Sequence, residues 1–264
     1  MLSDLSSPLF SDYENRNAKS ENTFSETSLE ISASESKLLL QSARNTRVTL
    51  NTLMEGIWML TLSDYFEQND ITIGLTVSGR SVDFDGIDRV TGLFMSVLPI
   101  RMQIEKDENT VTWLKKLQQT HSHMRQFEFI DIEGIRGWVH KPGRKEIFDS
   151  LFVFGNFMNE NVSIGNLELE EYSGEFSSTY PLTVRVNPAT SMGINFRYDK
   201  QIIEEKGVQW LKVKFESMLK LFSTIESFES NTITDLISGS KVTLPRPQLV
   251  LKEETNYSTL YQAP

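Results

Sequence analysis

The chain has 264 residues, of which 36 are acidic and 26 basic, so its formal net charge is −10 and its pI is about 4.9. This acidity argues against a nucleic-acid or anionic-membrane partner, since phosphate binding needs clustered lysine and arginine. The absence of cysteine excludes disulfides, thiol catalysis and thiolate metal sites, and it fits a cytoplasmic location.

The two ends of the chain are polar and lack a helical or strand period. Residues 1–30 predict an N-terminal tail with no signal-peptide pattern, and residues 224–264, with Pro245 and Pro247, predict an extended linker. No apolar run reaches the ~18 residues that a spanning helix needs. A folded core is therefore expected over residues 31–223.

The core alternates helical and strand patterns along the chain. In order, the predicted elements are a short helix near Ser34, a buried helix over Leu50–Phe66, strands Asp70–Arg80 and Gly92–Ile104, a helix from Thr110, strands Asp149–Phe157, Leu167–Ser173, Tyr180–Val186 and Met192–Asp199, and a final amphipathic helix over Ile203–Phe222. Pro99 marks its strand as an edge or a bulge. This order predicts a mixed sheet with packed helices, an α/β sandwich.

The sequence lacks the short motifs that are typical of serine hydrolases and of phosphate-binding loops. Neither GxSxG nor a glycine-rich phosphate loop is present. His121 and His123 are two residues apart, which on a helix places them about 200° apart and makes a shared metal ion improbable. His121 lies between Leu117 and Met124 on an apolar face, where the favoured interpretation is a core histidine with a partner and the alternative is a catalytic one.

A basic stretch follows the third histidine, His140. It contains Lys141, Arg144 and Lys145. In so acidic a chain this loop is a candidate for contact with a phosphate, although a solvated loop is the more common outcome.

Four segments in sequence order resemble the second half of the condensation domains of nonribosomal peptide synthetases. The first joins VSGR to GLFMSVLPIR, which is similar to the family's GxFxNTLPxR and matches it at Gly92, Phe94, Leu98, Pro99 and Arg101. The others are QQTHSHMRQFEFIDIEGIRGW, IFDSLFVFGNFM and YPLTVRVNP followed by INFRYD. Together they extend over residues 48–222.

The sequence also departs from the family pattern. Ser96 and Val97 stand where Asn-Thr is usual, Gly155 replaces a glutamate, and Phe127 replaces a common histidine. The family's catalytic HHxxxDG has no counterpart, because Asp85-Gly86 has no histidines before it. The resemblance assigns that motif to an N-terminal lobe, so an isolated chain is expected to be inactive.

The resemblance implies a chloramphenicol acetyltransferase-like fold in which two similar lobes enclose the reaction tunnel. This chain is then the C-terminal lobe, contributing the tunnel wall or lobe interface at Gly92, Phe94, Met95, Ser96 and Asn156. The implied partners are an N-terminal lobe bearing HHxxxDG and the acyl or peptidyl carrier domains. Those carriers deliver phosphopantetheine, so no cofactor is bound permanently.

Several alternatives stay open. An epimerisation or ester-forming relative shares this lobe, and a non-catalytic module that docks carriers belongs to a different functional class. The chain is equally consistent with a shortened sequence, a split domain or a degenerate lobe. Within the lobe, Arg80 and Arg101 follow apolar strands and are predicted to form structural ion pairs.

Overall fold

A computed structural model of the chain describes residues 9–10, 23–80, 86, 89–92, 94–138, 146–155, 163–164, 167–168, 178–224 and 231–247. The helices are α1 Ala33–Thr46, α2 Leu50–Phe66, α3 Thr110–Met124, α4 Ile132–Trp138, α5 Glu205–Thr224 and α6 Ile233–Gly239. The strands are β1 Phe24–Ile31, β2 Asp70–Val77, β3 Ser96–Gln103, β4 Ser150–Phe154, β5 Ser163–Ile164, β6 Leu167–Glu168, β7 Leu182–Asn187 and β8 Met192–Asp199. No helix within these ranges is long and apolar enough to cross a membrane.

Six strands form one sheet in the order β1-β8-β7-β4-β2-β3, and β5 pairs with β6 separately. Strands β2, β4 and β7 run parallel to one another, while β3 and β8 are antiparallel to their neighbours. The predicted mixed sheet is confirmed. Pro99 lies on β3 at the edge of the sheet, where its missing N–H leaves no gap in a central ladder.

The core lies between the sheet and helices α1, α2 and α5, which also contact one another. Helix α2 begins at the cap Thr49, whose side chain accepts a hydrogen bond from the Thr52 N–H. Its Trp58 ring packs edge-on against Phe196 of β8 and Phe215 of α5, at centroid distances of 5.9 and 5.6 Å. The indole N–H donates to Ser150 Oγ, so this buried polar group is satisfied.

The predicted polar tail is wrong for residues 24–30. These residues form most of β1, which pairs with β8 along its whole length, from Phe24 opposite Asp199 to Ile31 opposite Met192. β1 is an edge strand, and its burial alternates between exposed and partly buried positions until Ile31. A polar sequence is compatible with that position because half of its side chains face solvent.

The predicted extended linker is also wrong for residues 233–239, which form α6. Thr232 and Asp235 make a capping box at its N-terminus, and Ile233 and Leu236 are fully buried against the core. A seven-residue helix is shorter than the window of about 11–18 residues over which helical periodicity is recognised, so the prolines that follow dominated the sequence pattern.

Candidate functional site

The three parallel strands end at the same edge of the sheet, β2 at Val77, β4 at Phe154 and β7 at Asn187. Ligand sites in sheets of this kind form outside the carboxyl ends of the strands. A cleft of about 430 Å³ lies beside the ends of β2 and β4. Its lining residues come from both strands and from the segment before β3: Thr76, Val77, Ser78, Arg80, Gly92, Phe94, Met95, Phe154 and Gly155.

Gly79 fixes the backbone at the mouth of this cleft. Its φ is +64°, a left-handed conformation that other residues adopt only with strain. A Cβ at this position would lie 1.8 Å from the carbonyl oxygen of Phe94. Glycine is therefore required at this position for both conformation and space, and the lack of a side chain is what lets Phe94 approach.

Arg80 holds the aromatic ring of the cleft. Its guanidinium carbon lies 4.3 Å from the centroid of the Phe94 ring, and Nη2 donates a hydrogen bond to the carbonyl oxygen of Val90. These contacts tie the segment before β3 back to the end of β2. The ion pair that the sequence predicts for Arg80 stays a prediction beside these two contacts.

Three of the five expected tunnel residues line this cleft: Gly92, Phe94 and Met95. Ser96 is the first residue of β3 and lies directly opposite Val77, which lines the cleft. Because side chains alternate along a strand, half-buried Ser96 shares a face with the buried Leu98. The structure thus places Ser96 at the border between cleft and core.

A second cleft, of about 450 Å³, lies at the end of β7 and the start of β8 and shares the lining residue Gly155 with the first. Unlike the first, it has charged groups of both signs in its lining, Glu30 and Arg185. Each cleft thus lies at the carboxyl end of a parallel strand, β2 and β4 for the first and β7 for the second.

The first cleft holds no acid–base pair among the residues that the structure describes. The described residues that line it include neither a carboxylate nor a histidine, and Arg80 is the one ionisable side chain among them. General acid–base catalysis needs a group that changes protonation near neutral pH, and an arginine does not. The described part of this cleft is suited to holding and orienting a ligand.

Arg101 lies toward the other end of the β2–β3 pair, six residues and therefore about 20 Å along the strand from Met95 of the cleft. Its Nε and Nη2 donate to the two carboxylate oxygens of Asp70 at 2.8 and 2.7 Å. The ion pair expected from the sequence is present and bidentate. Its contribution to stability stays a prediction.

A buried acid lies apart from both clefts. Glu55 of α2 is fully buried, and neither carboxyl oxygen has a hydrogen-bond partner among the described residues. His121 Nδ1 of α3 is 3.7 Å from Glu55 Oε2. Desolvation raises the pKa of Glu55 to about 8. Desolvation and the nearby charge of Arg125 lower the pKa of His121, and the opposing effect of Glu128 on His121 is smaller.

Sequence reasoning missed Glu55 because a single charge within an apolar helix is usually assigned to a solvent-facing stripe. The signal was present, since apolar residues on both sides of it cover more than half of α2's circumference. The described residues contain no group of three metal-ligating side chains, and exposed His123 does not join His121. Asn156, Lys141, Arg144 and Lys145 lie outside the described residues.

Comparison with known proteins places these features in context. The family model described as "Condensation domain" matches residues 4–234. One of the linear gramicidin synthase proteins of Brevibacillus parabrevis is 32% identical over 220 residues, which cover 81% of this chain and 4% of that protein. The chain thus spans a small part of the curated relatives that it matches.

Solved structures match the fold at low sequence identity. A four-domain nonribosomal peptide synthetase bound to AMP and glycine aligns with a TM-score of 0.72 at 14% identity, covering 88% of this chain and 18% of that one. The first condensation domain of the CDA synthetase aligns with a TM-score of 0.67 at 14% identity, covering 87% of this chain and 49% of that one. The likeness therefore extends over about half of an isolated domain of this fold.

Proposed function

The chain belongs to the condensation-domain family, and from that premise we propose that it forms the C-terminal lobe of a nonribosomal peptide synthetase condensation domain. The observation that carries the proposal is the extent of the likeness, because 87% of the chain aligns with 49% of an isolated condensation domain. The order of the four motifs, which resembles the second half of the family's sequence, supports the C-terminal lobe.

The proposed reaction joins two carrier-bound substrates through an amide bond. The amine of the acceptor attacks the thioester carbonyl of the donor, so that a C–N bond forms and the C–S bond breaks. The amine proton leaves with the phosphopantetheine thiol of the donor carrier. That phosphopantetheine arrives on the carrier domain, and the lobe itself holds no permanent cofactor.

In this proposal the cleft at the ends of β2 and β4 forms one wall of the reaction chamber. Phe94 and Met95 supply apolar surface, while Gly92 brings backbone close to the substrate. The opposite wall and the HHxxxDG histidine come from an N-terminal lobe, on another segment or another chain. Two walls are necessary because the reaction depends on holding donor and acceptor together.

Exposed apolar groups near the cleft support association with such a lobe. Met95 and Val90 are each 39% exposed, and Met95 lines the cleft. Apolar surface of this kind is often covered by a partner. The expected state in the native source is a dimer or a complex with another chain, with Phe94, Met95 and Ser96 near the shared surface. The proposed location is the cytoplasm, which the cysteine-free composition fits.

Reconstitution tests the proposal. The chain is mixed with an N-terminal lobe bearing HHxxxDG and with aminoacylated carrier domains, and the condensed product is measured by mass spectrometry. The pair should turn over, whereas the chain alone and a pair whose second HHxxxDG histidine is replaced by alanine should not. Turnover by the chain alone contradicts the proposal. So does carrier binding without turnover in the pair, which identifies a non-catalytic docking module.

A further inference from the structure

Two segments outside the main sheet dock against the last turn of α2, defined as Asp64, Tyr65 and Phe66 together with the C-cap residue Glu67. On the N-terminal side, buried Phe10 packs edge-on against Phe66 at a centroid distance of 5.1 Å. The Phe10 N–H also donates to the Asp149 carboxylate at 2.6 Å, just before β4. One apolar and one polar contact of Phe10 therefore hold residues 9–10 against the lobe.

On the C-terminal side, Arg246 anchors the segment that follows α6. Its Nη2 donates to Asp64 Oδ1 at 2.7 Å, and its Nη1 pairs with Glu67. The guanidinium carbon lies 5.2 Å from the ring centroid of Trp210 on α5. The flat guanidinium thus uses its edge for carboxylates and its face for a ring, a combination that lysine cannot reproduce.

A continuous row of rings joins these two anchors. Tyr65 packs against Phe66 at 4.9 Å and against Trp210 at 5.3 Å, so the row runs from Phe10 to Arg246. Gly207 of α5 makes room for it, since a Cβ there would lie 2.5 Å from Tyr65 Oη. In a closely packed row, movement of one ring requires movement of the next.

Asp64 adds a second connection between α2 and the C-terminal segment. Its other carboxylate oxygen accepts from Lys214 Nζ at 2.7 Å. Buried Lys214 also donates to the carbonyl oxygens of Ile237 and Ser240, at 2.7 and 2.9 Å, so that its three N–H groups are all used. One carboxylate thereby holds the end of α6 and the segment beyond it.

We propose that the last turn of α2 is an anchor that couples the N-terminal and C-terminal segments, which flank the lobe in sequence. Loosening the Phe10 contact weakens the hold on residues 241–247, and loosening Arg246 weakens the hold on Phe10. This coupling goes beyond the proposed function, because it requires neither a partner lobe nor condensation. Its consequence is that a displacement of one segment is transmitted to the other.

Site-directed spin labelling tests the coupling in the full chain. The sequence has no cysteine, so Leu244→Cys provides a single labelling site, on a side chain that is 41% exposed. Electron paramagnetic resonance then gives the ratio of mobile to immobile label. Arg246→Gln should raise that ratio at least about threefold. Phe10→Leu keeps apolar volume but loses the ring contact, and it should raise the mobile-to-immobile ratio of the label at position 244 about twofold.

The matched control is Lys220→Gln, which removes an exposed ion pair with Glu216 on the same helix α5 and should leave the ratio unchanged. Circular dichroism establishes that each variant is folded, and Phe10→Ile, which also lacks the ring, serves if Phe10→Leu is not folded. A ratio unaffected by Arg246→Gln disproves the anchor. A ratio that responds to Arg246→Gln but to no folded Phe10 variant disproves the coupling.

Discussion

The two ends of the β2–β3 pair are held by different interactions, although each has an arginine. At the end away from the cleft, Arg101 and Asp70 form a bidentate ion pair. At the cleft end, Arg80 lies over the Phe94 ring, and Gly79 admits the Phe94 backbone. The first end is fixed by directional charge contacts, and the second by close approach of backbone and ring.

This difference separates stability from binding within one strand pair. In the bidentate pair, each carboxylate oxygen of Asp70 accepts a hydrogen bond from Arg101, so the two side chains bind each other. The cleft end instead places an aromatic ring, a methionine and a glycine along an open wall. We therefore expect substitutions at Arg101 to change the free energy of unfolding, and substitutions at the cleft end to change ligand binding as well.

The largest expected effect on stability comes from Gly79→Ala. The new Cβ would meet the Phe94 carbonyl in a backbone conformation that alanine rarely adopts, so the free energy of unfolding should fall by about 3 kcal/mol. Urea unfolding measures it. Gly86→Ala is the matched control, because Gly86 also has a positive φ but no atom within 4 Å of the added Cβ. If both variants lose the same free energy of unfolding, backbone strain alone explains the effect and the contact with Phe94 does not contribute.

A pH series sharpens the comparison by isolating a third contribution to stability, that of buried Glu55, which belongs to neither end of the β2–β3 pair. The pKa of Glu55 is raised from 4.5 to about 8, so this acid favours unfolding increasingly as the pH rises through that window. The lowered pKa of His121 acts oppositely below 6.5, its ordinary value. The two effects offset one another below that pH, and the free energy of unfolding should fall by about 2 kcal/mol from pH 6.5 to 8.

Glu55→Gln identifies the group responsible. With the acid removed, the fall between pH 6.5 and 8 should disappear. Below pH 6.5 the effect of His121 then has no offset, so the free energy of unfolding should rise with pH up to that point. Denaturant midpoints at four or five pH values are sufficient for the comparison. If the variant keeps the wild-type decline above pH 6.5, the buried carboxyl group is not its source.

The arginines themselves give the direct comparison of the two ends. Arg101→Ala leaves Asp70, which is 19% exposed, without its bidentate partner, and should cost about 2 kcal/mol of unfolding free energy. Arg80→Ala removes a ring contact and a carbonyl hydrogen bond and should cost about 1 kcal/mol. An unchanged melting temperature for Arg101→Ala would remove the proposed distinction between the ends.

The order of the central elements was predictable because burial imposes a clear period on their sequences. Strand β8 has the predicted bounds Met192–Asp199, and Pro99 correctly indicated an edge strand. The edge strand β1 was missed because its side chains are half solvated and its sequence stays polar. Helix α6 was missed because two fully buried side chains, Ile233 and Leu236, are too few to form a pattern.

The cleft was predictable only in part. The family motif identified Gly92, Phe94 and Met95, but the close approach at Gly79 depends on two segments that only the fold brings together. The ring contact of Arg80 was missed for the same reason, since it too joins two segments that are apart in the sequence. The burial of Glu55 likewise depends on how α2 and α3 pack.

The claim that the cleft end forms the wall of a reaction chamber is tested most directly by Ser96→Phe in the reconstituted two-lobe enzyme. Ser96 is not itself a lining residue, but it lies opposite Val77, which is, so a ring in its place is expected to extend into the cleft. Gln103→Phe, at the exposed far end of β3, is the matched control and should keep full turnover. We predict at least about a 100-fold loss of condensation for Ser96→Phe with folding and lobe association intact. Full turnover by that variant would contradict the account.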